Sequence, residues 1–242
     1  MKKELFSNEI TILRDTFRRL LRRRAKTNII KLIDKTHPAD LALLFRYFNE
    51  NEQGEIFNNL KPSEDTAEFL NELDESISIR LIENESPERI AQILEYASSN
   101  EQAYLMGLID NTYASSVIDL LKAEKQEELE EMMAYPEDSA GILMYTDVFT
   151  LHEETKAKDA IYALQDQEDA EMVFYLYTLD NDGRLTGVIS LRDLVTTSGD
   201  TMLKDIMSKQ IHVVRPETDQ EEVARIVSQY NFLAVPVVDS DD

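Results

Sequence analysis

The chain has 242 residues, 43% of them hydrophobic types, enough to bury one large or two modest cores, and two domains is the expected division. It has no cysteine, which excludes a disulfide framework and a thiolate metal site and suits a reducing compartment such as the cytoplasm. The formal charge of -23 is uneven: residues 1 to 26 hold nine Lys and Arg against three acids, and the remainder holds 16 basic and 45 acidic residues, a body that repels nucleic-acid phosphate and attracts cations.

At the amino end, "MKKELFSNEITILRDTF" starts basic, but Glu4, Glu9 and Arg14 interrupt any apolar region, so it does not read as a signal peptide. The longest apolar run, Phe232 to Val238, is far short of the roughly 20 residues a membrane-spanning helix needs. Arg14 to Asn28, "RDTFRRLLRRRAKTN", reads as a helix with a basic face. Such a face suits a polyanion or a membrane surface, and equally the acidic body or a neighbouring subunit; the acidity of the remaining 216 residues favours the latter two.

From His37 onward short amphipathic segments recur, eight of them up to Met133, each with apolar residues at helical spacing, as in Leu41, Leu44, Phe45 and Phe48. Pro38, Pro62 and Pro87, separated by 24 and 25 residues, fall at expected first helical positions, which gives two short helices per repeat. Helices this short are marginal alone and must stack on their neighbours. Residues 1–134 are therefore expected to form an all-α superhelical domain, an architecture that usually serves as an interaction surface.

Past Tyr135 the texture changes. "MVFYLYTLDNDGRLTGVIS" reads as strand, turn, strand, with Gly183 supplying the positive φ of the turn, and a helix is expected near Leu191. Laying Met144 on Met207 reveals an internal repeat: methionine, a strand ending at Leu151 or Val214, Thr155 or Thr218, then an amphipathic helix. "FYLYTLDNDG" then faces "LAVPVVDSDD", with four residues gained in the first copy. The second copy reaches Asp242 where the counterpart of "GRLTGVISLRDL" is due, so it reads as incomplete. The expected domains are 135–199 and 200–242.

Methionine, strand, Thr, helix, then strand-turn-strand with "GVISLRDL" resembles a cystathionine-β-synthase-type (CBS) repeat. A helical array, then "YPEDSAGILM", then such a pair resembles the cytosolic part of the MgtE family of magnesium channels, and the likeness covers His37 to Asp242. It implies an α+β multidomain fold, a helical superhelix followed by a CBS pair with a truncated second copy. By the same resemblance the region is a homodimer through its CBS domains, senses internal magnesium at the cytoplasmic side of the membrane, and regulates a transmembrane pore domain. "YPEDSAG" then reads as the hinge between array and CBS pair, with Met144 opening the first CBS strand.

Magnesium takes oxygen ligands and keeps several waters, so no short motif is expected. The resemblance places metal ligands at the start of the second CBS helix, on Asp219 and Glu221. Two positions depart from the family: Asn231 stands where an aspartate is usual, and Asn100, Glu101 and Tyr104 stand where the helical array has paired aspartates. Driving a two-state equilibrium from 1:99 to 99:1 takes roughly 5.5 kcal/mol. One state-specific site at ten times its dissociation constant supplies about 1.4 kcal/mol, so about four weak sites are needed.

CBS modules also hold adenosine nucleotides such as ATP on a Ser/Thr-x-x-Asp stretch. Ser190 to Asp193 fits, with Arg192 toward the phosphates and Tyr175 and Phe232 flanking the base. The plain alternative is that Asp193 caps its helix and the aromatics are core. His37, His152 and His212 lack zinc-ligand spacing, and no phosphate loop or nucleophile motif occurs, so no enzyme is expected. The leading expectation is a magnesium-sensing regulatory region with no nucleic-acid partner. The alternatives are a CBS nucleotide sensor acting on a soluble partner and a scaffold whose helices bind another protein.

Overall fold

A computed structural model describes residues 2–166 and 174–240, with side chains from Ile10 onward. The chain divides into two compact units, 1–131 and 132–242.

The first unit is helical. α1 (Lys2–Arg22) and α2 (Lys26–Ile33) lead into α3 (Pro38–Phe45), α4 (Glu50–Phe57), α5 (Glu64–Glu72), α6 (Glu75–Glu83), α7 (Pro87–Leu94), α8 (Ser99–Leu108), α9 (Asn111–Ile118) and α10 (Ala123–Met133). The eight segments from His37 each contain one of α3 to α10. Pro38 and Pro87 take the first helical position, but Pro62 does not. There Ser63, in extended backbone, is the N-cap and Glu64 opens α5. The Ser63 side chain does not bond a helix amide; its hydroxyl donates to Lys61 O at 3.3 Å and lies 3.1 Å from the Thr66 hydroxyl.

Phe45 is fully buried, edge-on to Phe69 at 4.8 Å and to Phe48 at 6.0 Å. The repeat also has a polar signature. Gln53 Nε2 donates to Phe45 O (2.6 Å), Ser78 Oγ to Leu70 O (3.2 Å) and Gln102 Nε2 to Leu94 O (2.8 Å), each reaching eight residues back. All three side chains are buried, and their spacing of 25 and 24 residues matches that of the prolines. Each satisfies a carbonyl at the end of the preceding odd-numbered helix, a group that short helices leave unpaired.

The second unit begins with α11 (Ala140–Leu143) and then β1 (Thr150–His152), α12 (Ala157–Gln165), β2 (Tyr175–Leu179), β3 (Leu185–Ser190) and α13 (Leu191–Thr196). β1 pairs parallel with β2, and β2 antiparallel with β3. Gly183 has φ +81 in the turn between them, where Asp180 accepts from the Asp182 and Arg184 amides, bonds that hold its carboxyl below the usual range. Phe149, Ala160, Leu176, Ile189, Leu194 and Leu203 form the core beneath this sheet. Met144 does not open a strand; it follows α11, and the first ladder residue is Thr150.

A 3-10 turn (Leu203–Asp205) and α14 (Gln220–Tyr230) belong to the second copy. Leu151 pairs with Thr178 in the first copy and Val214 with Val237 in the second, the residues that the Met144–Met207 alignment brings into correspondence. Met207 packs on β3, where a Cβ at Gly187 would strike its side chain, and its sulfur accepts from the Thr178 hydroxyl at 3.1 Å.

The two copies also exchange their leading segments. Residues 199–204 lie on the start of α12, through the Lys156–Met202 bridge and the bonds of Ala157 N to Thr201 O (2.9 Å) and Leu203 N to Thr155 O (2.9 Å). Residues 138–141 lie in the same way on the start of α14. There Ser139 bridges Asp219, and Ala140 N and Gly141 N donate to Thr218 O (2.7 Å) and Pro216 O (2.8 Å). "YPEDSAG" was expected as a hinge, but its residues 138–141 are thus fixed to the second CBS-like copy. Tyr135 is fixed as well, covering Gly141 so closely that an added Cβ would sit 2.5 Å from its ring.

Candidate functional site

Asp219 is the N-cap of α14, and its Oδ1 accepts from Glu221 N at 2.8 Å. Gln220 ties the helix to the preceding join twice, from its amide to Asp138 O and from Nε2 to Asp138 Oδ1, both at 2.8 Å. Around this joint Glu137, Asp138, Glu217, Asp219 and Glu221 are all exposed.

The equivalent joint in the first copy shows what is unusual here. Lys156 holds the position of Asp219, Lys158 that of Glu221 and Asp200 that of Glu137. Lys158 Nζ reaches Asp200 at 2.9 Å and Lys156 Nζ lies 3.8 Å from it. The Lys158 ammonium holds the Asp200 carboxyl below its ordinary range, and Lys204 does the same for Glu154 at 2.9 Å. In the second copy both lysines are carboxylates. At the positions where the first copy pairs lysines with Asp200, the second copy carries only acids, Glu137, Asp219 and Glu221.

Among the described residues no three His, Cys, Asp or Glu side chains converge as a metal cage. A hydrated divalent cation keeps most of its water and uses one or two carboxylates, so it needs no such cage. Asp219 and Glu221 stand at the N-cap and second helical position of α14, with one Asp219 oxygen used by the helix cap. Glu137 was not foreseen, although aligning the two repeats places it opposite Glu221.

Of the other expected acidic positions, Glu101 and Asn231 have structural work. Glu101 accepts from Ser98 N (2.9 Å) and Ser98 Oγ (2.8 Å) in a capping box. Tyr104 is partly exposed, and burial with the nearby Glu75 raises its pKa. Asn100 Oδ1 is buried with no hydrogen-bond partner among the described residues. Asn231 has φ 53 as the C-cap of α14, a left-handed position that asparagine tolerates better than most residues. Its amide here serves backbone geometry.

Tyr175 and Ser190 are partners across the β2–β3 ladder, and Arg192 and Asp193 follow on α13. Ser190 Oγ donates to Asp193 Oδ2 at 2.6 Å and accepts from Asp193 N at 3.1 Å, so serine is the cap and aspartate its third helical residue. Arg192 is exposed and makes no ion pair among the described residues. These four residues gather at one end of the β2–β3 ladder. Phe232 lies in a ring cluster, 5.4 Å from both Tyr230 and His212, and among the described residues no ring contact joins it to Tyr175.

Comparisons with known proteins agree with this layout. Residues 36–138 match the model of the MgtE intracellular N domain, and residues 140–199 and 203–242 match that of the CBS domain. The magnesium transporter MgtE of Thermus thermophilus is 33% identical over 224 residues, covering 87% of this chain and 48% of that protein. The MgtE of Enterococcus faecalis is 39% identical over 121 residues, covering 50% of this chain and 27% of that protein. The chain thus spans about half or less of these relatives' length. Among solved structures, the cytosolic domain of the Mg2+ channel MgtE in complex with ATP superposes with a TM-score of 0.88 at 30% identity, covering 94% of this chain and 93% of that one. The soluble part of a magnesium transporter gives 0.84 at 26% identity, covering 96% and 92%. No helix among the described residues is long and apolar enough to cross a membrane.

Proposed function

Because the chain belongs to the MgtE family, we propose that it is the magnesium-sensing regulatory region of a magnesium transporter, working on the cytoplasmic side as a homodimer joined through its CBS domains. Its task is non-catalytic: magnesium binding changes how the helical unit is held against the CBS pair, and the change is passed to the transmembrane part of the protein. The observation that carries this reading is the acid-on-acid joint of Glu137 with Asp219 and Glu221. Without a cation these carboxylates repel, and a bridging ion relieves the repulsion. The joint is built on the segment that leads covalently to the helical unit, so its closing is felt there.

Millimolar magnesium should compact the chain in small-angle scattering. Glu221→Lys, which recreates the lysine–carboxylate pair of the first copy, should give the compact form without magnesium and blunt the response. A radius of gyration indifferent to magnesium in the unaltered chain would sink the proposal.

The ATP complex of the 30% identical neighbour supports a second ligand on the Tyr175, Ser190, Arg192 and Asp193 edge. Here the Asp193 carboxylate would accept from a ribose, and Arg192 would meet phosphate. Calorimetry should detect ATP binding, weakened at least about tenfold by Asp193→Ala through loss of a charged hydrogen-bond partner. An unchanged affinity in that variant would move the nucleotide elsewhere. ATP binding with no magnesium response would instead favour a nucleotide sensor.

A further inference from the structure

We propose that the turn between α1 and α2 is a docking surface for an anionic membrane. The helical unit has nine arginines. Arg14, Arg18, Arg46, Arg80 and Arg89 each reach a carboxylate, at 2.7 to 3.2 Å. Arg19, Arg22, Arg23 and Arg24 are the remaining four, and with Lys26 they stand exposed without an ion pair among the described residues. In a chain of 48 acidic residues, five cations packed into eight positions make no ion pair with a carboxylate among the described residues.

Two further observations give the cluster a direction. Arg24 has φ 51, and the bonds of Ala25 N to Leu20 O (3.1 Å) and Arg24 N to Leu21 O (2.8 Å) form a Schellman cap around it. Glycine is the comfortable residue at that position, and arginine holds it against backbone strain, as happens where a side chain has a task. Cations in the last turn of α1 also suit its dipole, but Arg24 and Lys26 lie past that turn. On α1, Ile12 is 67% exposed and stands seven and eleven residues before Arg19 and Arg23, on the same outward face, while Phe17 and Leu21 are buried.

An apolar residue among unpaired arginines on one helix face fits the headgroup boundary of a bilayer better than a nucleic acid, which asks for stacking rings that this face lacks. The acidic body opposes this only locally, since charges more than about 8 Å away are screened at physiological salt. The expectation that this helix sits against the acidic body holds for its inner face, where Phe17 and Leu21 are buried and Arg18 pairs with Glu52; the proposal concerns its outer face.

The test is flotation of the 242-residue chain with phosphatidylglycerol vesicles and with phosphatidylcholine vesicles, in EDTA so that divalent bridging plays no part. The chain should float with the anionic vesicles alone and be released by about 1 M salt. Each neutralised cation should cost about fivefold in partitioning, so Arg19→Gln with Arg23→Gln should cost about twentyfold or more. Arg24→Gly should lose about fivefold in partitioning while keeping or raising the melting temperature, a split that a purely structural arginine would not show. No anionic selectivity, full retention in the double variant, or capture of poly(U) in place of vesicles would each overturn the proposal. Magnesium compaction is measured without lipid, so either idea can fail without the other.

Discussion

Replacing Gln102 with leucine should destabilise the helical unit by about 2–4 kcal/mol. The amide donates to Leu94 O at 2.8 Å and to Ala97 O at 3.0 Å, and the side chain is fully buried. Leucine fills nearly the same space and donates nothing, so two carbonyls lose their partner at about 1–3 kcal/mol each. Part of that cost is offset, because Gln102 Oε1 is itself buried with no partner among the described residues and is removed too. Urea unfolding followed by far-ultraviolet circular dichroism should show the loss, with a fall in melting temperature on the order of 10 °C. Tyr104→Leu, at an exposed position of the same helix, should stay within about 0.5 kcal/mol. A Gln102 variant that costs no more than this control would mean that water reaches those carbonyls.

The second large effect is expected at Gly141. A Cβ there would lie 2.5 Å from Tyr135 Cγ and 3.0 Å from Tyr135 Cβ. The clash reaches the root of the tyrosine side chain, so turning the ring cannot relieve it. Gly141→Val should cost about 1–3 kcal/mol in the second unit by overpacking. Tyr135→Ala should recover much of this in the double variant, and the coupling is read from a double-mutant cycle. Strictly additive losses would show that the tyrosine does not clamp this glycine.

Much of the fold was legible in the sequence because its signals are local or periodic. The eight helical segments announced themselves by apolar spacing, the β2–β3 turn by Gly183, and the duplication by Met144 and Met207. What stayed hidden depends on distant partners. Glutamine reads as a surface residue, and nothing local marks Gln53 and Gln102 as buried donors, although their spacing with Ser78 repeats that of the prolines. Asn231 read as a missing charge until its left-handed backbone gave it a reason.

The candidate metal site was legible in part. Asp219 and Glu221 came from family likeness, whereas Glu137 and Asp138 come from the pairing of residues 138–141 with the start of α14. The repeat alignment already contained that information, since it sets Lys158 and Asp200 against Glu221 and Glu137. It becomes a statement about cations only once the lysine–aspartate pair is seen closed in one copy.

The exchanged leading segments also fix an order of events during synthesis. Lys158 and Asp200 are 42 residues apart, and Glu154 and Lys204 are 50 apart, but Asp138 must wait for Gln220, 82 residues later. At roughly 5–20 residues per second, the wait at the ribosome is about 4 to 16 seconds. For that interval the helical unit is finished and the first CBS copy is taking shape, while Asp138 to Gly141 have nothing to rest on. The seam where magnesium is proposed to act therefore closes later than the pairs internal to the first CBS copy.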